Sequence, residues 1–225
     1  MSSRAHEKIP DADAMTPKVS GLPVEDPDID SVLFDATMIE GVLETLAALM
    51  VHRMADFEVY VPVTSGAMMF ASDLIRQTYV VQRMFRTEVD RPYARPVVAC
   101  AGASSYGNGT TSAGTPETTL PRCEVRGKRA VLIEDIIDTG RTCMALAKGL
   151  YDAGAEEVAI VALMDKQENR DKEAAEYFTS KNMKIACAFQ CPNEFVVGYG
   201  LDYKGKYRDL PFVGILKPKV FAGSE

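Results

Sequence analysis

The sequence predicts an α/β protein: an open, mostly parallel sheet with helices on both faces. Three observations carry that prediction. Short continuous apolar runs such as "RAVLIEDI" (129–136) and "EVAIVALMD" (157–165) have the length and character of strands buried on both sides. They alternate with segments whose apolar residues recur at helical spacing. Turn residues separate the two kinds of segment, as where Gly154 closes a helical stretch.

Residues 1 to 28 carry four of the twelve prolines, mixed charges and little periodicity, so a flexible lead-in is expected there. The fold is expected to begin near Val32. In "TMIEGVLETLAALM" the residues Met38, Ile39, Val42, Leu43, Leu46, Leu49 and Met50 share one helical face, and Thr37 with Glu40 fits a capping box. A strand over 58–63 and an amphipathic helix over 66–77 follow. Then come a strand over 95–102 ("RPVVACAG") and a Gly, Ser and Thr-rich segment over 102–114. The strand over 129–136 leads into a helix over 140–154. Strands are further expected over 157–165, 184–190, 195–202 and 212–216. No repeat period is visible.

Composition narrows the function classes. Lys and Arg total 25 against 32 acidic residues, a net charge of −7, which argues against a nucleic-acid footprint. No apolar run approaches the roughly 18 residues of a membrane helix, and the N-terminus lacks a signal-peptide core. A cytoplasmic protein without a membrane partner is expected. Cys100, Cys123, Cys143, Cys187 and Cys191 read as reduced, buried thiols rather than a disulfide framework or a zinc site. With only His6 and His52 present, acid–base chemistry must rest on carboxylates or lysines.

The stretch "VLIEDIIDTGRT" (131–142) puts three acids at the end of a buried strand. One reading is structural: Asp138 or Thr139 caps the next helix, while Glu134 and Asp135 are solvated. The other is a binding site. Backbone N–H groups of Asp138, Thr139, Gly140, Arg141 and Thr142, at the positive end of a helix, make an anion cradle, and small Thr139 and Gly140 let a phosphate approach closely. Glu134 and Asp135 would repel that phosphate unless they accept hydrogen bonds from something attached to it. Vicinal sugar hydroxyls meet that demand, so a ribose 5-phosphate moiety explains the whole stretch. No G-x-x-x-x-G-K-[ST] occurs, and "GNGTTS" does not open a helix as G-x-G-x-x-G would, so nucleoside triphosphatase and dinucleotide readings fall away.

The pattern of apolar run, Glu-Asp, two apolar residues and Asp-Thr-Gly-x-Thr resembles the phosphoribosyl pyrophosphate motif of type I phosphoribosyltransferases. "ASSYGNGTTSAG", "ALMDKQENR" and "FVVGYGLDYKGKYRDLPFVGILKP" are similar to the mobile loop, the purine-reading strand and the C-terminal signature of its hypoxanthine-guanine branch. The resemblance implies a type I phosphoribosyltransferase core plus a small hood formed by N- and C-terminal segments within residues 29–225. It also implies a homodimer or homotetramer that works in purine salvage. The substrates implied are phosphoribosyl pyrophosphate and a 6-oxopurine base, with Mg2+ as cofactor.

Carried over by position, Glu134 and Asp135 resemble the ribose ligands, and Asp138 the group that meets purine N7, as base or as hydrogen-bond partner. Lys166 resembles the donor to O6, which welcomes the acceptor of guanine or hypoxanthine and opposes the amino group of adenine. Phe195 matches the aromatic that stacks on the base, and Val196 the residue whose backbone reads the edge near C2. Asp202 matches a carboxylate near base and metal, joined in the metal shell by Glu134 and Asp135. Arg208 matches a pyrophosphate contact, and Ser105 with Tyr106 a lid. One departure stands out: where the family has Leu-Lys-Gly, this chain has Thr64-Ser65-Gly66, so the pyrophosphate loop keeps Gly66 but lacks a lysine charge. A xanthine-preferring enzyme and a catalytically idle phosphoribosyl pyrophosphate sensor remain as alternatives.

Overall fold

The computed structural model describes residues 26–84, 95–104 and 117–222. Strand β1 (Ile29–Phe34) and helix α1 (Ala36–Arg53) come first, followed by β2 (Val59–Thr64) and α2 (Met68–Met84). Three short strands, β3 (Val97–Val98), β4 (Ala101–Ser104) and β5 (Glu117–Thr119), precede the long β6 (Arg129–Ile137) and α3 (Arg141–Asp152). After β7 (Glu157–Asp165) the chain forms α4 (Lys172–Ser180), β8 (Ile185–Gln190), β9 (Val196–Val197), β10 (Val213–Leu216) and α5 (Pro218–Phe221).

The main sheet has the order β5-β4-β2-β6-β7-β8, with β3 also paired to β2. All its pairings are parallel except β4 with β5. Alternate residues of each central strand face opposite ways, and both faces are covered. Tyr60, Val131, Ile133, Ala159, Val161 and Leu163 pack with α1 and α2, while Val61, Leu132, Val158, Ile160 and Ala162 pack with α3 and α4. This explains why the sequence shows continuous apolar runs there. A second, antiparallel sheet of order β1-β10-β9 joins the two ends of the domain as a small hood.

Several boundaries differ from the sequence reading. The fold begins at Ile29 rather than Val32. Helix α1 is capped by Asp35, whose carboxylate accepts from Met38 N at 2.9 Å, so Thr37 lies inside the first turn and the Thr37–Glu40 box does not form. Helix α2 starts later and runs longer than 66–77, to Met84. The strand expected over 95–102 is split into β3 and β4. Tyr60 turns its carbonyl to this neighbour, accepting from Ala99 N at 3.1 Å, so Pro62, two residues on, is the one that has no N–H to offer it. The split falls there. The expected strand 195–202 is extended only at Val196–Val197, because Gly198, Tyr199 and Gly200 all take positive φ and turn the chain. Strand β5 and helix α4 were not expected from the sequence at all.

Candidate functional site

Because β2, β4, β6 and β7 run parallel, their carboxyl ends share one edge of the sheet, where open α/β folds place ligands. A cleft of about 480 Å3 lies there. Its walls are Thr64–Gly66 after β2, Glu134–Gly140 with Thr142 and Cys143 from β6 and α3, and Asp202 with Arg208 from the hood side. The sequence-predicted ribose-phosphate and pyrophosphate residues therefore converge, with the exception of the Arg141 side chain.

Glu134 and Asp135 are not solvated; their exposures are 6% and 8%. Asp135 Oδ1 accepts from Ile136 N at 2.8 Å, and the Cys143 thiol points to Glu134 Oε2 at 3.9 Å. Burial, reinforced by the Asp135 charge, holds the Glu134 carboxyl well above its ordinary range, and burial also raises Asp135. The hydrogen bond between the two carboxyls raises Glu134 and lowers Asp135, so Glu134 is the partner whose neutral form is favoured. With that proton held inside the pair, the oxygens left to the cleft are acceptors, which suits polyol hydroxyls.

The turn after β6 differs from both sequence readings in how it is built. The N-cap position of α3 is Gly140, at φ 81° and without a side chain of its own to cap, while Thr139 Oγ1 accepts from Arg141 N, the first N–H of the helix, in a long contact of 3.4 Å. A Cβ on Gly140 would lie 2.6 Å from Arg170 Nη1 and 3.2 Å from the Ala174 Cβ. Glycine is thus required by the protein wall behind the turn and by its positive φ. Arg170 forms an ion pair with buried Asp165 and packs over the Phe178 ring. Its Nη1 is buried with no hydrogen-bond partner. Arg141 is not among the residues lining the cleft, and its side chain turns to Asp171 with Nη2 at 2.7 Å and Nε at 3.1 Å.

Loop 64–66 carries a cis Thr64–Ser65 peptide, with Thr64 Oγ1 donating to Ala101 O at 3.0 Å. Gly66 is wedged between core and hood. A Cβ there would overlap Asp135 Oδ2, and a Cβ on Gly200 would overlap the Gly66 carbonyl oxygen. On the hood side, Arg208 donates to Gly200 O at 2.6 Å and to Asp202 Oδ1 at 2.7 Å, and Asp202 Oδ2 accepts from Gly205 N at 2.6 Å.

Of the sequence-predicted base-side residues, Asp202 is in the wall of this cleft, and Lys166, Phe195 and Val196 lie beside it. Lys166 follows β7, with its N–H on Ile137 O at 2.9 Å and its ammonium on Glu194 O at 2.7 Å. Phe195 is half-buried, stacked on Phe221 at 5.2 Å and edge-on to Tyr203 at 5.5 Å, and Val196 is buried next to it. Ser105 and Tyr106 lie outside the described residues. The sequence reading missed Asn169, whose Nδ2 donates to Asp138 Oδ1 at 2.9 Å and Asn193 Oδ1 at 2.8 Å. It also missed Arg170 and Asp165.

The phosphoribosyl transferase domain model matches residues 42–204. The chain belongs to the phosphoribosyl transferase domain family. Among related phosphoribosyltransferases, the hypoxanthine-guanine phosphoribosyltransferase of Bacillus subtilis is 33% identical over 86% of this chain and 97% of its own length. The bifunctional protein TilS/HprT of Listeria monocytogenes is 38% identical over 72% of this chain, which spans only 22% of that longer protein. A crystal structure of a hypoxanthine phosphoribosyltransferase from Staphylococcus aureus superposes with a TM-score of 0.67 at 31% identity, covering 86% of this chain and 95% of that one.

All five cysteines are free thiols; Cys143 and Cys191 are buried as expected, whereas Cys123 and Cys187 are only partly buried and Cys100 is exposed. No helix among the described residues is long and apolar enough to cross a membrane.

Proposed function

We propose that this chain transfers a 5-phosphoribosyl group from phosphoribosyl pyrophosphate to hypoxanthine or guanine, giving IMP or GMP and pyrophosphate. The observation that carries the reading is the joining of a buried carboxylate pair, Glu134 and Asp135, to a backbone-lined turn at 138–142 in one cleft. Few ligands other than a ribose 5-phosphate combine clustered hydroxyls with an anion at that spacing. The names of the relatives agree with it.

In this reading the purine N9 lone pair attacks C1′ as the C1′–O bond breaks, its electron pair leaving with pyrophosphate. The proton on N7 passes to, or is held by, Asp138. Glu134 and Asp135 fix the ribose, the 138–142 turn holds the 5-phosphate, and the 64–66 loop with Arg208 meets the leaving group. Lys166 offers a donor to O6, the Phe195 ring stacks on the base, and Val196 meets the C2 edge. Catalysis is then positioning and charge neutralisation, with no covalent nucleophile.

Mg2+ fits this site as part of the substrate. Among the described residues no group of three or more His, Cys, Asp or Glu side chains could hold a metal. Both Asp202 oxygens are engaged by Arg208 and Gly205 N. The donor set suits an ion already carried by phosphate oxygens; Glu134 and Asp135 would complete its shell, joined by Asp202 on release of Arg208 or Gly205 N. Bound there, the ion neutralises charge on the pyrophosphate.

A homodimer or homotetramer is proposed on the exposed apolar residues of α2 and β3, Met69, Tyr79, Val80, Met84, Val97 and Val98, of which Tyr79 and Val98 line a common hollow. Free thiols suit a reducing compartment, and the proposal places the enzyme in the cytoplasm.

Pyrophosphate release with phosphoribosyl pyrophosphate and each of hypoxanthine, guanine, xanthine, adenine and uracil tests the reading. Turnover with hypoxanthine and guanine is expected. Turnover on xanthine alone would make the enzyme xanthine-specific, and tight phosphoribosyl pyrophosphate binding without turnover would make the chain a sensor.

A further inference from the structure

We propose that Asn169 is a positioning residue that fixes Asp138 and ties it to the base-side loop at 193–194; this rests on the reading above that Asp138 meets the purine N7. Asn169 ends a 3-10 turn, Gln167–Asn169, whose two flanks are clipped to the phosphate turn. On one side Lys166 N donates to Ile137 O, and on the other Asp171 N donates to Thr139 O, both at 2.9 Å. These two bonds bracket Asp138. The Asn169 side chain reaches into the bracket, and its amide nitrogen uses one hydrogen for Asp138 Oδ1 at 2.9 Å and the other for Asn193 Oδ1 at 2.8 Å.

Both partners are acceptors, so the amide is held with its nitrogen toward them. Asp138 lies on an exposed rim where its carboxylate would otherwise sample rotamers. With Oδ1 engaged, Oδ2 is the oxygen turned to the base, and the N7 proton goes there as N9 bonds to C1′. Lys166 runs alongside, its ammonium on Glu194 O at 2.7 Å. Asn169 and Lys166 therefore hold the same short loop, one from the proton-accepting side and one from the O6 side. Asn169 bonds to the Asp138 side chain rather than to the backbone N–H groups of the cradle, so its effect belongs on the chemical step rather than on phosphoribosyl pyrophosphate binding.

The test compares Asn169→Ala, Asn169→Asp and Asp138→Asn with the full-length wild type, measuring kcat and both KM values with hypoxanthine. Asn169→Ala is expected to lower kcat about tenfold, as loss of a hydrogen bond to a charged group does, with KM for phosphoribosyl pyrophosphate unchanged within about twofold. Asn169→Asp keeps the shape but sets a carboxylate against Asp138, so it is expected to be more harmful than Ala. A purely structural role would reverse that order, because Asp is closer in shape to Asn. Thermal unfolding of each variant shows whether it folds, and if Ala does not, the near-isosteric Asp variant decides alone. Wild-type kcat in Asn169→Asp, or Ala more harmful than Asp, would overturn the inference while Asp138→Asn still lost activity. If the wild type transferred to no purine, the functional reading itself would fall instead.

Discussion

On the proposed ribose-phosphate side of the cleft, one stretch, Glu134–Gly140 with Thr142 and Cys143, supplies most of the wall, and its carboxylate pair is buried, with Asp135 bonded to neighbouring backbone. On the base side, Lys166, Asn169 and the 193–196 segment come from separate parts of the chain. They meet through exposed contacts of side chains with a carbonyl and with one another. The first region is one strand-turn-helix unit that cannot shift without disturbing the sheet. The second is an assembly of loops that can. Under the proposed function, the rigid side is the one that meets the sugar phosphate and the adjustable side the one that meets the base.

The largest expected effect tests the rigid side. In Gly66→Ala the new Cβ would overlap Asp135 Oδ2, so loop and carboxylate must part. A displacement of about 1 Å should lower kcat/KM for phosphoribosyl pyrophosphate by roughly 100-fold. Near-normal activity would show that the rigid side yields after all. Next in size, Asp135→Ala should raise KM for phosphoribosyl pyrophosphate far more than KM for the base, by an interaction of about 1.5 to 3 kcal/mol. A change confined to the base would move Asp135 to the other half of the comparison.

On the adjustable side, Lys166→Gln replaces a group that only donates with one that donates and accepts. Relative turnover of hypoxanthine over adenine should fall by about tenfold, while KM for phosphoribosyl pyrophosphate stays put. An unchanged ratio in a folded variant would remove Lys166 from base selection.

The smallest effect reads the buried pair without substrate. Because burial and Asp135 raise the Glu134 carboxyl well above its ordinary 4.5, the folded chain holds a proton that the unfolded chain releases. Stability from this group is complete below the unfolded value and is lost as pH rises through the raised folded value. The Tm of the ligand-free protein should therefore decline by a few degrees as pH rises above about 5. Glu134→Gln, which stays neutral, should flatten that decline. The same slope in both proteins would mean that Glu134 is ionised throughout.

The two sides also differed in how far the sequence revealed them. Strand β6 and its turn were legible because local chemistry sets them: an apolar run, two acids and a glycine at fixed spacing. Even there, the reason for Gly140 was hidden, since the residues behind it are Arg170, just before α4, and Ala174 within α4, a helix whose short apolar face gave no clear period. Asp165 and Arg170 stand in the quoted segment "ALMDKQENR", but nothing in their spacing announces an ion pair under the phosphate turn. Asn169 was invisible for a stronger reason: both its partners lie on other loops, and only tertiary structure brings them within reach. The cap of α1 was misplaced by two residues because Asp35 and Thr37 both have capping side chains and pattern alone does not rank them.

Asp135, Gly66 and Gly200 lie one behind another, with no room for a side chain between core, pyrophosphate loop and hood. Far apart in sequence, the 64–66 loop and the 198–208 turn thus form one unit of inheritance. A hood exchanged between relatives by recombination would fit only if the loop after β2 came with it, and drift at either glycine would need a matching retreat of the other backbone. The freedom to vary that this molecule has is therefore concentrated on the base side, where the chain meets itself through side chains that can be exchanged one at a time.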